Sequence, residues 1–523
     1  MKRAIWLAPF AALLISGCAD DGSDGVAGTN GVDGLNSLVA TQIVPRGDAQ
    51  CAGGGQLLAS GLDSNRNAVL EESEVISREY LECLTTPKLR ALHASPDAPA
   101  VNIRVNGETA LSSVGYTQGS GFIEASETTR VEVEAVVPGG NAVVIDESLE
   151  LAFSTEYTVI AAGNVSAPVA AWIIDNPAGE PIAEGSVRAQ VVHAAPSAPN
   201  VDVYVTAPNA DLASSSPVNE ESLAFQNATA RAVIPAGAYQ IRVTAAGDAQ
   251  TVVFDSGTIS LPAGADLMIV AVENTGPGAT PIQLVTLDGT SATQLLDANT
   301  PASVLAVHAS ADAPAVDILA NATVTAENEA LPLARGIDFA AACLIPTVPA
   351  GEYELSVTAA GDPSTVALQF DLAVEAGDEL AAIVSGYLGS TPELQAIALM
   401  SDTRSVATEA KLRITHASPG TGAVDIYLLP NGTDLNASST AASFAAVPFG
   451  ADTGVLSIAP GTYDVYVTPA GSKSVVAIEL ANLALGGGDV LDVVARDAEL
   501  DGSEGALPRL IAVDYDAVSD CPT

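Results

Sequence analysis

The chain has 523 residues and carries 63 acidic side chains against 19 Lys and Arg, a formal net charge of −44. Such a surface repels nucleic-acid phosphates and anionic headgroups; it excludes nucleic acid as a partner and suits a solvated ectodomain or cation binding. The hydrophobic fraction of 48% comes from Ala and Val in short strand-sized runs, and no segment, the short N-terminal run included, is long and apolar enough to span a membrane as a permanent helix.

Lys2 and Arg3 precede an apolar run from Ala4 to Ile15, the layout of an export signal. The run ends in Leu14-Ile15-Ser16-Gly17-Cys18, which resembles the lipobox of bacterial lipoproteins. That resemblance implies a signal peptide over 1–17, a diacylglyceryl group on Cys18 and a lipid anchor in the cell envelope. Ala19 stands where an inner-membrane retention signal carries Asp, which favours the outer membrane. Several acyl chains on one residue anchor stably where a single chain does not. The competing reading is a signal peptide with a chance cysteine. Over 18–34, glycine recurs at 22, 25, 28, 31 and 34, the collagen period. Five triplets without proline do not hold a triple helix, so the stretch reads as a flexible tether, with a trimeric stalk as the alternative.

Residues 35–86 form a small module bracketed by Cys51 and Cys83. Inside it, Asp63-Ser64-Asn65-Arg66-Asn67-Ala68-Val69-Leu70-Glu71-Glu72-Ser73-Glu74 resembles the calcium loop of EF-hand and dockerin-like proteins. By that resemblance Ca2+ takes oxygens from Asp63, Asn65, Asn67, the Val69 carbonyl, Glu71 and Glu74. Alternate positions let one tight loop wrap a hard cation, and a bidentate carboxylate at the last position closes the shell. Ala68 replaces the usual glycine at a turn that needs positive φ, and two asparagines lower the ligand charge, so affinity should be modest. An Asx-rich turn on an acidic surface is the alternative. The flanks read as short strand or coil with a brief helix from about Glu72.

With Cys18 lipidated, four cysteines remain and allow three pairings. Cys51 and Cys83 enclose one module and are paired here; Cys343 with Cys521 follows by elimination and ties the C-terminal tail to the third repeat. Two free thiols are the alternative for the second pair.

All four histidines of the chain open copies of one motif. His93 begins H-A-S-P-D-A-P-A-V-N, His193 H-A-A-P-S-A-P-N-V-D, His308 H-A-S-A-D-A-P-A-V-D and His416 H-A-S-P-G-T-G-A-V-D. The spacing is of domain size, giving repeats over 88–186, 187–301, 302–408 and 409–523. Within each, period-two alternation and Pro/Gly turns recur every eight to twelve residues or so. Tyr239-Gln240-Ile241-Arg242-Val243, Tyr353-Glu354-Leu355-Ser356-Val357 and Tyr463-Asp464-Val465-Tyr466-Val467 mark one half-buried strand. Val131-Glu132-Val133-Glu134 stands in for it in the first repeat, without the tyrosine. The expected fold is all-β: four tandem immunoglobulin-like or transthyretin-like β-sandwiches after a small disulfide-closed module. The second and fourth repeats carry long polar loops, 207–226 and 430–440, which suggests a duplicated pair and a variable contact surface. The motif with its Pro-Ala-Gly-x-Tyr turn resembles the bacterial DUF4397 domain, found in tandem in exported and lipid-anchored proteins. This implies an envelope location and a β-sandwich, and no site residues.

For catalysis, Asp202, Asp317 and Asp425, with Asn102 in the first copy, follow each histidine by nine residues; Ser95, Ser310 and Ser418 follow by two, and Ala195 breaks that series. A triad needs base, nucleophile and oxyanion donors in reach. One histidine per sandwich, with neighbours expected tens of ångströms away, offers none, so His93, His193, His308 and His416 read as structural parts of the turn. The function expected is therefore non-catalytic: presentation, adhesion or ligand contact at the envelope, with an envelope or extracellular protein or polysaccharide as partner. The alternatives are a glycan- or matrix-binding receptor using the two long loops, and an enzyme with a site in one repeat.

Overall fold

The computed structural model describes residues 34–523 except 52, 168, 179–180, 323–330 and 501–506. The export signal, Cys18 and all of the tether but Gly34 thus lie outside the described residues. Among those described the chain is built from strands, with three single-turn 3-10 helices and no helix long and apolar enough to cross a membrane.

Residues up to Leu84 form one compact unit and Thr85–Thr523 another. In the first, Ser37–Val44, Gly55–Leu62 and Val75–Cys83 make an antiparallel three-stranded sheet in sequential order. Its small core gathers Val44, Cys51, Leu57 and Ala59, and the Cys51–Cys83 disulfide joins the chain before the second strand to the end of the third. Where short strand or coil was expected, a full meander forms. Alternation in Gly55–Leu62 buries Leu57, Ala59 and Gly61 on one face.

In the second unit each repeat contributes two facing sheets. The motif histidine is the last or next-to-last residue of the first strand of each: Lys88–Ala94, Ser186–His193, Ala302–His308 and Ala410–Ala417. That strand pairs in parallel with a later one, placing His93 beside Ala161, His193 beside Ala271, His308 beside Val384 and His416 beside Ala495. The tyrosine strand of the opposite sheet is locked onto its own turn. Tyr239, Tyr353 and Tyr463 donate their hydroxyls to the carbonyls of Pro235, Pro349 and Ala459 at 2.7, 2.6 and 2.9 Å. In the first repeat Thr129 makes a shorter version, donating to the Ser126 carbonyl at 2.8 Å.

The repeats are not spaced apart. The parallel pair of each is buried on both faces, one toward its own sandwich and the other toward a neighbouring repeat. Val159 and Ala161 face the core of the first sandwich, whereas Ile160 and Ala162 join Leu92, Val192, Val270 and Leu287 in a cluster shared by the first and second repeats. Leu305, Val307, Ile383, Val494 and Ile511 form the equivalent cluster between the third and fourth. Each Val, Leu or Ile among them, taken fully out of water, contributes roughly 1.5–3 kcal/mol, so these clusters are cores and not casual contacts. The two pairs also touch. Arg404, between the third and fourth repeats, donates to the Pro96 and Ala98 carbonyls at 2.9 Å each and lies over the Tyr116 ring.

Candidate functional site: four closed histidine turns

Each histidine is fixed at both ring nitrogens. Nε2 meets the carbonyl six residues on: Pro99 for His93 at 2.9 Å, Pro199 for His193 at 3.1 Å, Pro314 for His308 at 2.9 Å and Gly422 for His416 at 2.6 Å. Nδ1 accepts the amide two residues on, from Ser95, Ala195, Ser310 and Ser418 at 3.3–3.4 Å. The donor must then be Nε2–H, so the ring is neutral and both its polar atoms are used within its own turn. Burial pushes all four imidazoles below their ordinary pKa, against the pull of the carbonyl bonds.

A lone aromatic stands edge-on to each ring: Tyr116, Phe225, Phe339 and Phe449, with centroids 6.0–6.4 Å away. The residue after it, Thr117, Gln226, Ala340 or Gly450, adopts a positive φ and donates its amide to the histidine carbonyl at 2.8 Å. Sequence reasoning missed this partner. The signal was present, because aromatics are scarce and one recurs 23–33 residues after every histidine.

The other candidate groups are also spent on the turn and its neighbours. Ser95 and Ser310 donate to the Gly163 and Gly386 carbonyls at 2.5 and 2.8 Å. In the fourth repeat Ser418 donates to the Asp497 carboxylate, which also accepts the Gly420 amide at 3.1 Å. In the last three repeats the aspartate nine residues on is buried and accepts hydrogen bonds from both sides of its strand. Asp317 accepts the Gly336 and Gly361 amides at 2.7 and 2.9 Å; Asp425 accepts those of Ala446 and Gly471 at 2.7 and 2.8 Å. Asp202 accepts the Gly247 amide at 2.8 Å and the Ser222 hydroxyl at 2.7 Å. No histidine shares a bond with the serine hydroxyl or with this aspartate.

The second disulfide, Cys343–Cys521, pins the tail to the third repeat, where Leu344 also donates its amide to the Ser519 carbonyl and accepts the Cys521 amide. The long loops are both held by a basic residue. Arg242 donates to the Ala210 carbonyl and the Thr206 hydroxyl, and Lys473 to the carbonyls of Leu435, Ala437 and Thr440.

In the N-terminal unit, the residues at 63–74 close one loop. Asp63, 1% exposed, accepts the Asn67 and Ala68 amides at 3.0 and 2.9 Å. Glu74, also buried, accepts those of Ser64, Asn65 and Glu71. Asn65 and Asn67 accept the amides of Asn67 and Val69 and donate their own to Glu71. Val69 is exposed. The oxygen-rich set suits a hard cation. No group of three or more His, Cys, Asp or Glu side chains placed to hold a metal occurs among the described residues, so a cation here would draw on the two asparagines and backbone carbonyls as well.

Fold and site together define a tandem β-sandwich chain whose repeats are fused in pairs around histidine-closed turns. Residues 87–204 and 302–427 match the family described as a domain of unknown function, DUF4397, and residues 36–83 match a second domain of unknown function, DUF7151. Each DUF4397 segment spans one repeat and the first two strands of its fused partner, taking in both histidine turns of the pair. A search of curated proteins finds no match.

Proposed function

We propose that this chain is a non-catalytic cell-envelope lipoprotein that presents its fused β-sandwiches for structural, adhesive or ligand-contact roles. One observation carries the reading: in all four copies the motif's histidine and its serine or aspartate are consumed by bonds that close the fold, leaving neither base nor nucleophile free. Two disulfides support an oxidising compartment. The lipobox resemblance supplies the anchor at Cys18. Metabolic labelling with palmitate in a bacterial host, followed by membrane fractionation, tests it. Labelled chain in the outer membrane, with Cys18→Ala unlabelled and released, is the expected result; an unlabelled chain with reduced cysteines in the cytoplasm would overturn it. Contact with a polysaccharide or matrix through 207–226 and 430–440 is favoured by the way Arg242 and Lys473 pre-order those loops. Shortening both should then abolish saturable binding.

A second reading, that the 63–74 loop binds Ca2+, rests on Ala68. It holds φ +59, the conformation a calcium loop needs at that place and one that glycine normally supplies. Titration calorimetry should give one site in the range of about 10⁻⁴–10⁻³ M typical of extracellular modules, absent from Asp63→Ala/Glu74→Ala. No heat at millimolar calcium would reject it.

A further inference from the structure

The first repeat is packed more loosely than the third. Between its two sheets lies a cavity of about 280 Å³, walled by Val101, Val133, Ala135, Ile145 and Ala161 and rimmed by Val144. The apolar void between the sheets of the third repeat measures about 20 Å³, too small for any ligand. The cross-strand ladder also sets the first repeat apart from the second. Val133 pairs with Ile145 where, in the second repeat, Val243 pairs with Phe254, a ring only 1% exposed that fills its core.

The lining chemistry is selective. The walls are aliphatic, and no charged side chain or carbocyclic aromatic ring lines them. The polar neighbours His93 and Ser95 are already bonded, to Pro99 and Gly163. The exception is Thr408, which reaches the cavity from the segment joining the third and fourth repeats; its buried hydroxyl has no hydrogen-bond partner. An ionised headgroup could not follow a chain into such a site without losing its hydration uncompensated. Val143 and Val144 are about half exposed and Val165 more than a third, so the mouth is apolar too.

We infer that the first repeat binds the alkyl chain of a neutral amphiphile between its sheets, with the Thr408 hydroxyl holding the amphiphile's oxygen. This gives a ligand class to the contact role proposed above and rests on that reading only for its biological setting. A fatty alcohol and the acyl ester of a membrane lipid share this chemistry.

The test uses the chain from Ala19, 1-octanol as the probe in calorimetry, and sedimentation with phosphatidylcholine vesicles. Saturable uptake of one octanol per chain is expected. Ile145→Phe, which copies the second repeat and fills the cavity, should weaken it roughly tenfold or more, with unchanged or raised Tm. Thr408→Val, which keeps shape and removes the hydroxyl, should weaken it roughly several-fold. Absence of saturable uptake, or uptake equal in Ile145→Phe and the unaltered chain, would overturn the site. Sedimentation with vesicles, lost in Ile145→Phe, identifies a membrane lipid as the source; octanol binding without sedimentation identifies a free amphiphile. Failure here leaves the anchor reading intact, because palmitate labelling at Cys18 tests that separately.

Discussion

Asn102 donates its side-chain amide to Glu134 across the strand pair at 2.8 Å, where every other repeat sets an aspartate opposite a threonine. Those pairs are Asp202 with Thr244, Asp317 with Thr358 and Asp425 with Thr468. Asp317 and Asp425 accept backbone amides through both oxygens, and Asp202 accepts a backbone amide through one and the Ser222 hydroxyl through the other. Asn102 has one acceptor, taken by the Ser113 amide at 2.9 Å, and uses its NH2 group to satisfy a neighbouring carboxylate instead. The two solutions are internally consistent and do not mix.

Their incompatibility is measurable. Asn102→Asp alone places a carboxylate against Glu134, and like charges directly opposite each other destabilise a strand pair, so the urea midpoint should fall. Adding Glu134→Thr recreates the sister pattern and should recover most of the loss, so the two changes should be non-additive in a double-mutant cycle. Urea unfolding of the four species reads it out, and purely additive effects would refute the account.

Much of this was legible in the sequence, because period-two alternation and Pro/Gly turns report the strands directly. The histidine series located all four turns for the same reason, since a residue so rare that recurs in register has a fixed geometric job. The pairing of repeats was not legible. Val-Val-His-Ala-Ala after Gln190 and Val-Leu-Ala-Val-His after Ser303 are runs without alternation, the mark of a strand buried on both faces. They could have warned that these strands serve two cores, but alternation elsewhere favoured independent sandwiches. Lys411 and Arg413 hid the same fact in the fourth repeat, because charged residues at every second position suggest solvent, and here they face the neighbouring repeat.

Acid should weaken the fold before its carboxylates titrate. Burial lowers the pKa of His93, His193, His308 and His416 below the ordinary 6.5, so the unfolded chain binds more protons than the folded one. Stability is then fully present above about pH 6.5 and is lost as pH falls through the folded values. Glu379, raised by burial, acts in the opposite sense, one group against four. Asp288, held near 2 by the Thr290 and Ser291 bonds, adds its own loss only in stronger acid. Urea midpoints at pH 7.5, 6.5 and 5.5 should fall steadily, and a flat series would contradict the neutral, doubly bonded ring.

The Cys343–Cys521 bridge closes a loop spanning 178 residues of sequence separation. By loop-closure entropy, Cys343→Ser/Cys521→Ser should cost about 5 kcal/mol of global stability. Within the folded chain the tail should loosen first, because it otherwise depends on backbone bonds from Leu344 to Ser519, Cys521 to Leu344 and Arg335 to Pro522. Hydrogen exchange at the Leu344 and Cys521 amides should rise well before the second repeat responds; unchanged protection at both would show that the backbone bonds suffice.

The deepest test of repeat fusion is Arg413, 2% exposed on the face of the fourth repeat turned toward the third. Its guanidinium is bidentate to Asp492 and also donates to the Met400 carbonyl at 2.7 Å and the Ser401 hydroxyl at 2.9 Å. Tyr515 donates its hydroxyl to the same carboxylate at 2.9 Å. Because Met400 and Ser401 belong to the third repeat, this buried ion pair spans the junction. Asp492→Ala leaves a buried cation short of its countercharge and should cost about 3–5 kcal/mol. Replacing both partners by apolar residues of similar size, Arg413→Met with Asp492→Leu, should recover most of that, since desolvation of the pair offsets much of its attraction. If the single change costs under about 1 kcal/mol, as exposed ion pairs do, then Arg413 reaches water in solution and the third and fourth repeats do not share a closed core.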